Sequence, residues 1–433
     1  MNSERAVAHA PRTILISGAG IAGPTLAFCL QRAGFVPTLV ERAPAPRPGG
    51  YMIDFWGVGY DVAERMGLLP VLEQDGYRIQ EIRLVNASGR RVAGFDARVF
   101  RSASNNRFLS IPRGDLAHRI YELVAGGVET LFSESITALE ETPDGVIVRF
   151  EHVSPRQFDL VVGADGLHST VREFVFGASG ASGASGASGK GSEGAPVERF
   201  LGYYTAAFTA HDYPQRDADV YVSYTVPGRQ VARYALRDGR TAFFLVFASQ
   251  RMPELEDHDV AARQAQLRRV YAGAGWECDA ILDAMGRSGD FYFDAVSQVR
   301  MANWSRGRIA LVGDAAYCPS LLAGQGSAFA MAGAYLLAHA LAGEPADHEA
   351  AFAEYQGRFK PFVDAKQRAA VRFGGWFAPR SEVGVWLRNI ATNLAGLPVV
   401  SDWVVGRSFG DRLELPVDAG RWTQSGVTAQ PRS

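Results

Sequence analysis

Three glycines in the run Gly18-Ala19-Gly20-Ile21-Ala22-Gly23 are spaced for phosphate chemistry. Glycine serves where a chain turns tightly and where backbone must approach a pyrophosphate with no Cβ in the way. The free N–H groups and partial positive charge of a following helix then complete the anion site. The run Arg12–Ser17 ahead of it is apolar and rich in β-formers, and Pro24 to Arg32 behind it carries Leu26, Ala27 and Leu30 on one helical stripe. Gly34 sits where that helix would stop, and Val36–Val40 is a second apolar run ending in Glu41-Arg42. Glu41 follows the last glycine by 18 residues (41 − 23), at the end of the second strand, where a carboxylate accepts hydrogen bonds from ribose hydroxyls. This strand–turn–helix–strand unit predicts a bound dinucleotide. It does not choose among NAD, NADP and FAD.

Two further acids follow apolar runs. Phe158–Val162 leads into Gly163-Ala164-Asp165-Gly166, and Arg308–Val312 leads into Gly313-Asp314. Either acid alone reads as a turn former or a helix N-cap. His168 has the titration range of an acid–base group but lies inside the Asp165 motif. Cys318, beside Pro319, reads as a small buried hydrophobe. Hydrolase chemistry is not indicated: there is no Gly-x-Ser-x-Gly elbow and no triad order. There is no Walker lysine loop and no paired His-x-x-x-His metal site. Cys29, Cys278 and Cys318 are far apart and form no Cys-x-x-Cys pair, so no metal site is expected, and their sparse, odd number fits a reducing compartment.

These residues need elements to hold them. The 433 residues, 47% hydrophobic and 21% charged, are ordinary for a globular enzyme of two coupled domains. The net charge of −2 gives no reason to expect nucleic acid or an anionic membrane as partner. Met1 to Arg12 lacks the apolar core of a signal peptide, which predicts a cytoplasmic protein. Ser327 to Gly343 is uncharged but rich in Ala and Gly, and reads as a buried helix rather than a membrane span. Val58–Met66, Arg113–Val124, Val260–Ala272, most of Glu344–Arg372 and Val383–Leu397 read as helices, and Glu81–Phe95 as a hairpin around Ser88-Gly89. From Val197 to Asp294, runs rich in Tyr, Phe, Val and Thr separated by turns predict an antiparallel sheet. The Gly/Ser/Ala tract 177–194 has the composition of a flexible coil. The division that follows is a dinucleotide domain built from residues 1–80, 103–177 and 295–375. A β-sheet domain for substrate covers 81–102 and 195–294, with a linker at 178–194 and a helical region at 376–433.

Over about Thr13 to Arg372 the chain resembles the class A flavoprotein monooxygenases, the single-component group of aromatic hydroxylases and tetracycline-modifying enzymes. Four matches in order carry the resemblance: the glycine run with Glu41-Arg42; Arg113 in Ile-Pro-Arg-Gly-Asp-Leu; Asp165-Gly166-Leu-His-Ser169-Thr-Val-Arg172; and Gly313-Asp314-Ala-Ala with Pro319 and Gly324-Gln325-Gly326. The resemblance implies an α/β fold with a Rossmann-like FAD-binding domain of the GR2 type, a β-sheet substrate domain and C-terminal helices. It implies FAD as cofactor, with NADPH or NADH as co-substrate. Gly18, Ala19, Gly20, Ile21, Ala22, Gly23, Glu41, Arg42, Gly50, Arg113, Asp165, Gly166, Gly313, Asp314, Pro319, Gly324, Gln325, Gly326 and Ser327 are then the cofactor-binding set. Asp314 matches the acid that meets the ribityl chain, and Arg113 an arginine that reaches the cofactor. Gly324-Gln325-Gly326 matches the turn whose amides face the flavin pyrimidine ring. Many members carry Asn where this chain has Ser327 and Asp near Gly333.

The implied reaction is oxygen insertion through a flavin C4a-hydroperoxide, with a small aromatic molecule and O2 as partners and no catalytic side chain. A pocket near Pro319, between flavin and sheet, would take a planar aromatic or polycyclic substrate. Tyr204, Tyr224, Arg229, Tyr234, Phe244 and Phe247 are candidates to line it, with Phe373 and Trp376 closing the far side. A flavin dehydrogenase or reductase that never captures O2, and a non-catalytic flavin-binding protein, are the alternatives.

Overall fold

Ile14, Leu15 and Ile16 have no exposed surface. A strand buried on both faces reads as a continuous apolar run, as parallel strands covered by helices do. In the computed structural model, which describes residues 12–46, 50–177, 197–252, 259–395 and 413–416, this strand (Thr13–Ser17) is central in a six-stranded sheet. Across the sheet the order is Ser305–Arg306, Ile309–Leu311, Leu160–Gly163, Thr13–Ser17, Val36–Glu41 and Glu129–Phe132. All neighbours are parallel except the first pair. The three runs that precede the glycine turn, Asp165 and Asp314 are therefore adjacent and parallel, so their C-terminal ends open on one edge. That is where an open α/β sheet holds its ligand.

The helix Ala22–Arg32 starts inside the glycine turn and packs on the helix Gly326–Gly343. The latter is the one helix among the described residues long and apolar enough to cross a membrane, with a mean hydropathy of 1.2. It is 72% buried within the protein, against the helices Ala22–Arg32, Val58–Arg65 and His348–Phe377. Its side chains form the largest hydrophobic cluster together with the six-stranded sheet.

The second large layer is a seven-stranded sheet in the order Tyr292–Val299, Glu198–Ala210, Thr241–Ala248, Arg229–Ala235, Val220–Val226, Glu81–Val85, Arg91–Asp96. The Glu81–Phe95 hairpin joins it through a parallel pairing of Glu81–Val85 with Val220–Val226. One face, the helix face, is covered by Val260–Tyr271 and Cys278–Met285. The other, the cofactor face, meets Leu321, Leu322 and the two-stranded ribbon Met52–Trp56/Phe108–Pro112. A three-stranded sheet over Ile136–Thr142, Gly145–Phe150 and Arg156–Phe158 completes the sheets. The tract expected to be a linker, 178–194, and all of the C-terminal stretch past Ala395 except 413–416 lie outside the described residues.

Candidate functional site

The glycine turn has two packing constraints and one open position. Gly18 has φ +104°, and a Cβ there would meet the Ala164 carbonyl oxygen at 2.5 Å. A Cβ on Gly23 would stand 1.9 Å from the Gly18 carbonyl oxygen. On Gly20 it would meet nothing within 4 Å, so that glycine keeps space open toward whatever occupies the cleft. Glu41 braces the turn: its Oε2 accepts from the Ala19 N–H at 2.8 Å and its Oε1 from the Ala43 N–H at 2.9 Å. Each oxygen keeps a second lone pair for a ribose hydroxyl.

Asp165 is an engaged acid. Its carboxylate accepts from the Ser169 hydroxyl, from the Val171 N–H at 3.1 Å and from the Ser17 hydroxyl at 3.4 Å. Ser169 caps the helix Thr170–Phe176 by accepting from the Arg172 N–H at 3.0 Å. Burial nonetheless pushes the Asp165 carboxyl above the usual carboxylate range, against the opposing pull of those hydrogen bonds. Arg172 is buried and joins two motifs. Its Nη2 donates to the Leu167 carbonyl (2.6 Å) and its Nη1 to the Ala315 carbonyl (3.0 Å). The Asp165 loop and the Asp314 turn are thus one unit.

Asp314 opens the short helix Asp314–Tyr317. Burial raises its carboxyl, opposed by the Arg113 guanidinium and by a hydrogen bond from the Cys318 thiol. Cys318 is itself buried, and its thiol is pushed well above its ordinary value. The Arg113 guanidinium makes no side-chain hydrogen bond or ion pair among the described residues; its pKa is raised, chiefly through Tyr51 and then Asp314, against the pull of burial. Desolvation pushes the Tyr51 phenol up to about 12.

The chain from Cys318 to Gly324 is held under tension. Ser320, a non-glycine residue that is 2% exposed, has φ +113°, in a region that costs about 1–3 kcal/mol. Two buried glutamines fix it. Gln298 Nε2 donates to the Pro319 carbonyl at 2.8 Å, and Gln367 Nε2 lies 2.7–3.2 Å from the carbonyls of Val299, Cys318 and Tyr317. Gly324 is left-handed, at φ +65°, and turns the chain into the helix Gly326–Gly343, whose first turn has no side-chain cap. Such amides form an anion site.

These pieces enclose a single cleft of about 400 Å³. Of the cofactor set, Gly18, Gly20, Ile21, Ala22, Glu41, Arg42, Arg113, Asp165, Gly166, Asp314, Pro319, Gly324, Gly326 and Ser327 line it. Ala19, Gly23, Gly50, Gly313 and Gln325 stand behind the lining. Gly313 is needed there because a Cβ would come within 3.1 Å of the Ala22 Cβ. Gly50 abuts the Gly114 backbone, and Gln325 precedes the first turn of its helix. A cleft with amide donors at both ends, a free guanidinium, a buried acid and an acceptor for ribose fits a long dinucleotide. Its one thiol, Cys318, is held protonated by burial, so the lining offers no activated nucleophile.

Residues 12–365 match the FAD binding domain family. A flavin-dependent monooxygenase from an unknown prokaryotic organism is 36% identical over 370 residues, spanning 84% of this chain and 89% of its own length. This chain belongs to the flavin-dependent monooxygenases. An uncharacterised protein of Mycobacterium tuberculosis is 38% identical over 363 residues, covering 82% of this chain and 92% of that one. The crystal structure of the tetracycline destructase Tet(55) superimposes with a TM-score of 0.77 at 31% identity, covering 95% of this chain and all of that one. In this monooxygenase the free guanidinium, the Gly20 opening and the uncapped helix all suit FAD.

The expected substrate residues divide by sheet face, and four need correction. Tyr204, Tyr224, Arg229 and Phe247 lie on the helix face, away from the cleft. Tyr204 stacks between Phe247 and Phe293, with centroids 5.6 and 5.5 Å away. Tyr224 donates to the Ala274 carbonyl, and Arg229 to the Val270 carbonyl at 2.7 Å. The physical reason is register: Tyr204 pairs with Phe247 and Phe247 with Arg229, and residues paired across a sheet share a face. Phe244 and Tyr234 are on the cofactor face. Phe244 is 6.2 Å from the Tyr51 ring, whereas Tyr234 is packed edge-on against Tyr77 at 5.4 Å. Trp376 is 41% exposed, and the Phe373 side chain lies outside the described residues.

The sequence reading missed Tyr51, Tyr292 and Asp294, which line the same cleft, and the bracing pair Gln298 and Gln367. Tyr51 and Tyr292 are in ring contact at 5.4 Å. Asp294 Oδ1 lies 3.3 Å from His168 Nε2, so the exposed His168 links the Asp165 loop to the long sheet, and that carboxylate raises its pKa. Each is an isolated residue with no motif around it.

Proposed function

We propose that the protein binds FAD in this cleft, takes electrons from NADPH or NADH, and inserts one atom of O2 into a planar aromatic or polycyclic small molecule. The observation that supports it is a cleft that runs from a nucleotide-type glycine turn, past Asp314 and Arg113, to the first turn of an uncharged helix and then meets the aromatic cofactor face of a sheet. The amides of the glycine turn would hold the pyrophosphate, Glu41 the ribose, and Asp314 and Arg113 the chain toward the ring system. The amides at Gly326 and Ser327 would meet its electron-accepting edge. When bound, FAD supplies the electron transfer and oxygen activation that no side chain here can.

The protein's own part is to position and to exclude water. Tyr51, Tyr292, Pro319 and Leu321 give the far end of the cleft apolar walls, with Phe244 against the Tyr51 ring, and such walls protect reactive oxygen species from water. Arg113 keeps a fixed positive charge beside the cofactor, and the helix terminus stabilises negative charge on it by about 1 kcal/mol or more. The three cysteines are buried and none is in a disulfide, in keeping with a cytoplasmic setting. The test is to supply purified holoenzyme with NADPH or NADH and a panel of phenols, indoles and polycyclic aromatics under ¹⁸O2. A product heavier by one labelled oxygen is expected. Acceptor reduction without oxygen uptake would instead make the protein a reductase.

A further inference from the structure

His168, Asp294 and Tyr292 all line the flavin cleft, and they meet in series. Asp294 Oδ1 lies 3.3 Å from His168 Nε2, and Asp294 Oδ2 accepts from the Tyr292 hydroxyl at 3.4 Å. The strand Tyr292–Val299 sets this order. Phe293 packs on the helix face of the long sheet, so Tyr292 and Asp294 on either side of it point together to the cofactor face. The Ala295 N–H, donating to Asp294 Oδ1 at 2.8 Å, holds the carboxylate in place.

The row runs from dry to wet. Tyr292 is in ring contact with Tyr51 at the walled end of the cleft. The Asp294 side chain is 21% exposed and that of His168 61%. Each of these groups can take up and release a proton, and the reaction at this site needs one. Oxygen insertion consumes NAD(P)H, O2, a proton and substrate, and yields NAD(P)+, water and the oxygenated product. With the cofactor in the cleft and its apolar end closed to water, that proton has to cross the wall on side chains. Arg113 lines the same cleft but does not release a proton.

The surroundings of each end suit the transfer. His168 faces Asp294 on its own side of the long sheet, Glu198 on the strand Glu198–Ala210 and Arg172 on the helix Thr170–Phe176. The hydrogen bond to Asp294 prevails over burial and raises the imidazole pKa, so His168 keeps a proton to give closer to neutral pH. Tyr292 faces Tyr51, Asp294, Arg113 and Asp314, and burial holds its phenol well above the ordinary value, so it regains a proton after each transfer.

We propose that His168, Asp294 and Tyr292 form a proton relay from solvent to the end of the cleft where oxygen reacts. Protonated His168 passes the proton on Nε2 to the Asp294 carboxylate and regains one from water. Asp294 passes its proton to the Tyr292 oxygen as the Tyr292 hydroxyl gives its own to the reacting oxygen. A proton enters at one end and a proton leaves at the other, and every group ends with the charge it began with. The relay deepens the oxygen-insertion reading and takes from it only the place where oxygen reacts.

The test needs neither electron donor nor substrate. The FAD-loaded enzyme is reduced by light without air and mixed with O2. In this half-reaction anionic reduced flavin, O2 and a proton yield oxidised flavin and hydrogen peroxide, and flavin absorbance follows it in H2O and D2O. His168→Gln is expected to react about ten- to hundred-fold more slowly, at or below what a positioned proton donor contributes. Its solvent isotope effect should be larger, and added imidazole should restore the rate. Tyr292→Phe, which keeps the ring and loses the hydroxyl, should be as slow, and imidazole should not restore it. In flavin-free protein the His168 ring resonances should titrate at lower pH in Asp294→Asn than in wild type. Wild-type rates in either His168→Gln or Tyr292→Phe, a slow His168→Gln that imidazole leaves slow, or a His168 titration unmoved by Asp294→Asn overturns the relay. Each of these leaves the oxygen-insertion reading standing, because the ¹⁸O2 product assay tests that separately.

Discussion

Gly20 and Gly23 lie three residues apart in one motif, yet alanine at each should fail in different ways. At Gly23 the new methyl would stand 1.9 Å from the Gly18 carbonyl oxygen, over 1 Å inside any tolerable contact, and the obstacle is backbone. The helix Ala22–Arg32 and the end of the strand Thr13–Ser17 must separate. Overpacking of this kind costs about 3 kcal/mol, and alanine in place of glycine in a helix returns about 1 kcal/mol. At about 2.1 cal/mol/K of unfolding entropy per residue, a net loss of about 2 kcal/mol corresponds to a fall in Tm of roughly 2 °C for a chain of 433 residues. At Gly20 the methyl meets nothing within 4 Å, so the flavin-free protein should melt within about a degree of wild type. What the methyl would meet is the cofactor. Losing close approach of backbone donors to a charged pyrophosphate should weaken FAD about ten- to hundred-fold. The assay is thermal melting of the flavin-free proteins alongside FAD titration followed by fluorescence quenching. Wild-type FAD affinity in Gly20→Ala, or equal loss of Tm in both flavin-free variants, would refute the assignment of one glycine to the ligand and the other to packing.

Arg172→Met should leave the Leu167 and Ala315 carbonyls without their donor, at about 2–4 kcal/mol for the two buried acceptors, and should release FAD more readily because two cofactor loops lose their link. Unchanged melting and flavin content would show that the link is dispensable. The pair formed by His168 and Asp294 predicts a pH dependence of definite sign. The folded-state pKa of His168 is raised, chiefly by Asp294, so its stabilisation is complete below the unfolded value of about 6.5 and is lost as pH rises through the folded value. The Tm advantage of wild type over His168→Gln should therefore be largest in mild acid and fade above neutrality. A difference that stays constant from acid to alkaline pH would remove the ion pair from the account. The effect is small because the imidazole is largely exposed.

The cofactor half was legible in the sequence because its residues sit where strands end. Each of three parallel strands is announced by an apolar run and closed by glycine with an acid nearby, so element and chemistry coincide in a few residues. The helix Ala22–Arg32 begins two positions earlier than its apolar stripe suggests, since the glycine turn is itself its first turn. Sequence spacing could not show that Glu41 also braces the Ala19 amide, because that use depends on how the turn folds back. The three strands between Ile136 and Phe158 went unread: the first is mostly partly exposed and carries Glu140 and Glu141, so no apolar run marks it. Gln298 and Gln367 are single amides 69 residues apart that meet only because a strand and a helix cross there.

The substrate half was poorly legible for a reason that lies in the sheet itself. Alternation reveals which face is inward only when the other face is wet. In Thr241–Ala248, Phe243 and Phe247 pack under helices while Phe244 looks toward the ribbon, and six of the eight residues are buried. The period-two signal vanishes, and an aromatic residue has the same chance of serving the core as of meeting a ligand. Charge breaks that symmetry. An aromatic shielded from water needs no partner, but a guanidinium or carboxyl does, so Arg113 and Asp314 report the polar side of the cleft where Tyr204 and Phe247 cannot. In a sheet covered on both faces, unpaired charge is the better guide to where a ligand sits.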